Sequence, residues 1–206
     1  MTFEDLQRAI ADPPPRPLMD FDRSPRGKRG AAVLMLFSET PDPEIVFIRR
    51  ASTLRSHAGQ MALPGGRIDD VDGGPVRAAL REAEEEVGVE PDAVSVMGKL
   101  PPLWVPVSNY DVTTVLGTWP GGELSAVDIA ETASVHQYPL SRLTARDVRV
   151  TCEHPRGFRG PAFTLPDSFI WGLTAHLLDW VLDLGGWNTG WERDQVVPIP
   201  DEYLRD

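Results

Sequence analysis

The feature that most restricts the fold is the uninterrupted apolar run Ala31-Ala32-Val33-Leu34-Met35-Leu36-Phe37. No polar residue alternates through it, so a strand made from it has no face to offer water and must be buried. Pro41-Asp42-Pro43 then marks a turn, and Glu44–Ile48 reads as a second strand. Ala93–Leu100, Val112–Leu116 and Thr132–Gln137 read as further strands with proline-rich connectors. Helical patterns lie among them: Phe3–Ala11, stopped by Pro13-Pro14-Pro15; Val76–Val87; a turn at Leu140–Leu143; and Ser168–Leu182, with Ser168 after Pro166 as its N-cap. This order predicts an α/β (α+β) chain, a mixed central sheet sandwiched between helices, in one domain over residues 30–184. An N-terminal helix and basic arm (1–29, with Arg23, Arg26, Lys28 and Arg29) precede it, and a tail (185–206) is expected to strap over its surface.

Composition narrows the function. A net charge of −11 repels a polyanion, so a large nucleic-acid interface is not expected. A small anionic ligand remains possible where metal ions or local arginines reverse the sign. The single cysteine, Cys152, cannot close an internal disulfide and reads as a partly buried spectator. No signal-like or membrane-length apolar segment is evident, and a cytoplasmic protein is expected. His136 and His154 lack partners at zinc-ligand spacing. Trp104, Tyr110, Trp171 and Trp180 could stack a base, although the last two sit in a leucine-rich segment and read better as core.

The chemistry concentrates in Gly65–Val89. Pro75 suits the first helical position and Gly88 the residue just past the end, so a helix of about three turns is punctuated at both ends. Val76, Leu80, Ala83 and Val87 give it an expected buried stripe, and Glu82, Glu85 and Glu86 lie on a different side beside Arg81. Carboxylates so placed repel each other. Two readings follow: a solvated acidic face with Arg81 as intrahelical partner, or a set of hard oxygen ligands for Mg2+ or Mn2+. The preceding Gly65-Gly66, able to bring backbone close to a ligand, favours the second. Upstream, Ile45–Ile68 contains no acid but holds Arg49, Arg50, Arg55, His57 and Arg67. Such a window in an acidic chain reads as a place for phosphate, or as an edge strand guarded by charge.

Here the residues resemble a family. Arg81–Gly88, REAEEEVG, is similar to the REUXEEXGU core of the Nudix box, with Gly66 as the glycine ahead of it. The resemblance implies an α/β/α sandwich with one catalytic helix and a pyrophosphohydrolase dependent on Mg2+ or Mn2+. Glu82 and Glu86 would be the principal metal ligands, joined by the Gly66 carbonyl. Glu85 would be a further ligand or acid–base group, and Arg81 would orient the glutamates. The chain departs from the box by carrying Asp72 at the early glutamate position, with one extra residue before Arg81.

The wording RRASTLRSHAGQMALPGG, Arg49–Gly66, further resembles the motif of the coenzyme A pyrophosphatase branch, with Leu63 in place of the more usual Phe. That likeness implies a small-molecule substrate, coenzyme A or an acyl derivative, and a possible homodimer. Substrate contacts would fall on Arg49, Arg50, Arg55, His57, Gly59, Gln60, Gly65, Gly66 and Arg67. Ser134 stands where a second late acid is common, leaving Glu131 and Asp128 as candidate general bases. Two rivals stay open: hydrolysis of another nucleoside diphosphate derivative such as ADP-ribose, and a silent ligand-binding module.

Overall fold

The computed structural model describes residues 2–14, 24–26, 29–54, 56–187, 190–191 and 193–204. Arg55 of the basic window, and Arg23 and Lys28 of the basic arm, lie outside the described residues.

The apolar run becomes the centre of the molecule. Strand β1 (Gly30–Ser38) pairs in parallel with β7 (Tyr110–Trp119) and antiparallel with β2 (Glu44–Arg50) and the short β4 (Gly65–Arg67). β3 (Met61–Ala62) and β8 (Thr132–Pro139) pair with β2, and β5 (Ser95–Lys99) and β6 (Leu103–Val105) pair with β7. The two sides of β1 serve different cores, as strand alternation requires. Ala32, Leu34 and Leu36 pack with Ala78, Ala79, Ala83 and Val87 of α2 (Pro75–Val87). Met35 and Phe37 pack on the other side with Leu6 and Ile10 of α1 (Phe3–Ala11) and with Leu177, Leu178 and Val181 of α4 (Gly172–Leu184). A mixed sheet between helices is thus the architecture found, and α3 (Leu140–Leu143) is the expected helical turn after β8.

Two expectations are corrected. The second long helix begins at Gly172, because Ser168–Ile170 forms β11 in a hairpin with β10 (Arg159–Leu165). Pro166-Asp167 is the two-residue turn between them, a pair that favours turns, and the buried Phe169 and Ile170 suit a strand. A second sheet was also not expected: β11, β10, β9 (Arg149–Glu153) and β12 (Val196–Pro198), the last a tail segment parallel to β9. β11 and β12 are only three residues long, and β10 starts with Arg159-Gly160-Pro161, which blurs any period.

Cys152 is buried on β9, and burial pushes its thiol up to about 11, which disfavours the thiolate. Trp180 is core, while Trp171 is half-buried and stacks on His154. Among the described residues no helix is long and apolar enough to cross a membrane.

Phe37, fully buried against Phe3 (ring centroids 5.5 Å apart) and Trp187 (6.0 Å), links sheet, N-terminal helix and the segment after α4. Phe37→Ala should lower the unfolding free energy by about 3–5 kcal/mol in urea titrations, with the slope on denaturant unchanged.

Candidate active site

Helix α2 ends as its sequence demands, with Gly88 in the left-handed region (φ 75) and its N–H bonded to the Glu84 carbonyl at 3.0 Å. Its acidic residues do not share one solvated face. Glu86 follows Ala79 and Ala83 at i+7 and i+3, so it points into the seam between helix and sheet, only 3% exposed. Val76 and Leu80, expected in the buried stripe, are only partly buried at its margin. Glu82 is half-buried, and the Glu85 side chain is 57% exposed.

Glu86 is fixed from the other side by β4: the Gly65 N–H donates to Glu86 Oε2 at 2.8 Å. Burial drives the Glu86 carboxyl up to about 7; the Gly65 hydrogen bond and Arg50 oppose this, while Glu82 and Glu131 add to it. Burial likewise raises Glu82, against the pull of Arg81. The loop can come this close only without side chains. A Cβ on Gly65 would lie 2.3 Å from the Ala32 carbonyl oxygen, and one on Gly66 2.5 Å from the Glu82 carboxylate.

Arg81 organises the exposed half. Its Nε and Nη2 donate to the two oxygens of buried Asp72 at 2.9 and 3.1 Å. Nη2 also reaches the Arg67 carbonyl at 3.1 Å, and Nη1 stands 2.9 Å from Glu82 Oε1 and 3.2 Å from Glu85 Oε2. The hydrogen bond from Arg81 holds Asp72 below the usual carboxylate range, and that bond in turn keeps the guanidinium firmly protonated. Asp69 closes the network: its N–H donates to Asp72 Oδ2 at 2.7 Å, and it pairs with Arg67 Nε at 3.1 Å.

The basic window divides. Arg50 lies on the α2 side of β2, where its charge acts on Glu86, and its buried Nε has no partner among the described residues. Arg49, one residue earlier, leaves the sheet on the opposite side and donates to the Asp167 carbonyl. The loop between β2 and β3 folds back on β2: Gly59 N–H donates to the Arg50 carbonyl at 3.1 Å, and Arg50 N–H to the Gln60 carbonyl at 3.0 Å. His57 Nδ1 is 3.1 Å from Gln60 Oε1, and Gln60 Nε2 donates to the Tyr203 carbonyl at 3.1 Å, tying this loop to the C-terminal segment. Arg67 is exposed. Of the late acids, Glu131 is close enough to raise both Glu82 and Glu86, and its carbonyl accepts from Ala51 N–H at 2.8 Å. Asp128 spends its carboxylate on the Ala130 N–H at 2.9 Å. Sequence reasoning missed the Gly65 amide as the partner of Glu86 and the part of Asp69; a backbone donor leaves no residue-specific signal.

Comparisons with known proteins bear on the family. The NUDIX domain model matches residues 27–151. The chain belongs to the Nudix family. It is 40% identical over 170 residues to a protein of Cronobacter sakazakii called "Uncharacterized Nudix hydrolase NudL", covering 79% of this chain and 85% of that one. A protein of the same name from Escherichia coli K12 is 37% identical over 164 residues, covering 76% and 83%. A Nudix hydrolase structure from Nitrosomonas europaea shares the fold at a TM-score of 0.51, with 12% identity over 84% of this chain and 81% of that one. The MutT protein structure from Methanosarcina mazei gives 0.51, with 14% identity over 79% and 96%.

Nudix hydrolases act on pyrophosphate bonds and generally use divalent ions such as Mg2+ or Mn2+. The donors present fit such an ion by chemistry: Glu82 and Glu86 offer hard oxygens from one rigid helix, against a loop backbone kept bare at Gly66. Among the described residues no three acidic, His or Cys side chains already converge as a cation cage, and Arg81 is paired with Glu82 and Glu85.

Two outcomes follow. An acid raised by folding is bound to a proton that the unfolded chain lacks between about pH 4.5 and 7, so its stability contribution falls as pH rises through that window. In metal-free protein, Glu86→Gln should therefore be near neutral at pH 5 and stabilising by up to about 3 kcal/mol at pH 8, measured by chemical unfolding. Gly66→Ala should displace the Glu82 carboxylate and weaken Mn2+ binding, read by calorimetry, by about 10-fold or more.

Proposed function

We propose that this Nudix hydrolase cleaves the pyrophosphate of coenzyme A or an acyl derivative, releasing (acyl-)4′-phosphopantetheine and adenosine 3′,5′-bisphosphate. The observation that carries the reading is Arg50: it stands in the segment resembling the coenzyme A pyrophosphatase motif, its charge acts on Glu86, and its Nε lacks a partner among the described residues. A guanidinium so placed suits a phosphate oxygen next to the carboxylates. The loop carrying Gly59 and Gln60, hydrogen-bonded back onto Arg50, gives that segment a fixed course beside the helix.

Glu82 and Glu86 would hold the divalent ions, with Glu85 and the Gly66 carbonyl as further ligands. Once bound, the ions supply charge neutralisation of the pyrophosphate and lower the pKa of an attacking water. Arg81, braced by Asp72, sets the positions of Glu82 and Glu85. Glu131, within electrostatic reach of both buried carboxylates, is the stronger candidate to accept the proton of the water, since Asp128 caps its own turn. A homodimer and a cytoplasmic location belong to the same proposal.

Product analysis with Mg2+ tests it. Coenzyme A should give adenosine 3′,5′-bisphosphate, with dephospho-coenzyme A and ADP-ribose cleaved much more slowly. Preference for ADP-ribose would retain the metal helix and discard the substrate; tight binding without cleavage would make the chain a ligand-binding module. Glu86→Gln should lower kcat by about 100-fold or more at saturating Mg2+.

A further inference from the structure

A second group of reactive side chains lies away from the metal helix. Ser134, His136 and Tyr138 occupy alternate positions of β8, so they leave the sheet on one side. Their cross-strand partners on β2 are Arg49, Phe47 and Ile45, of which Phe47 and Ile45 belong to the core shared with α1 and α4, opposite α2. The β10–β11 turn brings Asp167 against them. Ser134 Oγ is 2.8 Å from His136 Nε2, and His136 Nδ1 is 3.3 Å from Asp167 Oδ2. The Tyr138 hydroxyl donates to Asp167 Oδ1 at 2.7 Å, and it lies 2.8 Å from Ser168 Oγ and 3.1 Å from His136 Nδ1.

A polar seam between two sheets needs only that each group find a partner. This one has an order: hydroxyl, imidazole, carboxylate, with the serine partly open to solvent. Burial keeps His136 below its ordinary pKa even though Asp167 pulls the other way. Desolvation works against ionising Asp167, yet its carboxyl stays below the usual range through the Tyr138 hydrogen bond and the charges of His136 and Arg49. A neutral imidazole beside an ionised carboxylate keeps its proton on Nδ1, which leaves the Nε2 lone pair facing the serine O–H. Arg49 is the direct cross-strand neighbour of Ser134, and its Nε is without a partner among the described residues. It places positive charge on the strand beside Ser134.

We propose that Ser134, His136 and Asp167 form a nucleophile–base–carboxylate relay that hydrolyses small activated carboxylic esters or thioesters, separately from pyrophosphate cleavage. Ser134 Oγ bonds to the acyl carbon as its proton passes to His136 Nε2. The substrate C–O or C–S bond breaks, and the leaving alcohol or thiol takes that proton. Water then adds to the acyl-serine, gives a proton to His136 and releases the carboxylic acid, and the serine recovers its proton from the imidazole. Asp167 and Tyr138 hold the ring and are positioning residues.

The test uses the whole protein without added metal, a fluorophosphonate probe and p-nitrophenyl acetate. The probe should phosphonylate Ser134, located by peptide mass mapping, and p-nitrophenolate should be released above the protein-free rate. Ser134→Ala should abolish the label and lower ester turnover by about 100-fold or more, with an unchanged unfolding midpoint. Asp167→Asn should slow both readings while retaining the label site, and Ser134→Cys should restore covalent capture of the acyl group. No label on the unsubstituted protein, a label that persists in Ser134→Ala, or ester turnover that Ser134→Ala leaves intact would each overturn the relay.

Discussion

Much of the site hangs on a carboxylate that the fold takes out of water. Glu86 sits at the seam where α2 packs on β1 and β4, and one N–H, that of Gly65, meets it there. A buried anion with so few partners is unfavourable, which is why its pKa rises to about 7. The cost is local, but the geometry it requires is not. Gly65 must press against the Ala32 carbonyl for its amide to reach Glu86, so β4, β1 and α2 are locked in one register. A divalent ion would supply the missing counter-charge, and stability and metal affinity are then coupled through a single side chain.

Strand parity does the next piece of work. Arg49 and Arg50 are adjacent in sequence and equally basic, yet they serve opposite sides of the sheet. Arg50 joins the acidic helix, and Arg49 joins Ser134, His136, Tyr138 and Asp167. β2 therefore carries one cation to each of two chemically distinct surfaces. Neither arginine could replace the other without a one-residue slip, which would expose Val46 and Ile48 or Ile45 and Phe47 to the wrong core.

What could be read from the chain followed physical signal strength. The apolar run, the Pro75 and Gly88 stops and the glutamate spacing are local and strong, and β1 and α2 came out where they pointed. Glu86 was legible as an acid on the helix but not as a buried one, because the wheel weighs polarity while the i, i+4, i+7 row through Ala79 and Ala83 decides direction. The second sheet was hidden for another reason. Its strands interleave arginine, proline and glycine, and their pairing with β12 is formed across some forty residues of intervening chain. Ser168 looked like a cap because serine after proline favours that role, but the Tyr138 hydroxyl and a hairpin turn outbid the helix start.

With its two departures from the family box, the chain still holds Arg81 from both sides. Aspartate at 72 is one methylene shorter than the glutamate usual there. Asp70–Asp72 forms a 3₁₀ turn, with Asp72 N–H on the Asp69 carbonyl at 3.0 Å. Both Asp72 oxygens meet the guanidinium, and Asp69 N–H also donates to Oδ2. Held in this way, Arg81 reaches Glu82 and Glu85. Loss of the bidentate pair would free Arg81 and, through it, loosen the spacing of the carboxylates.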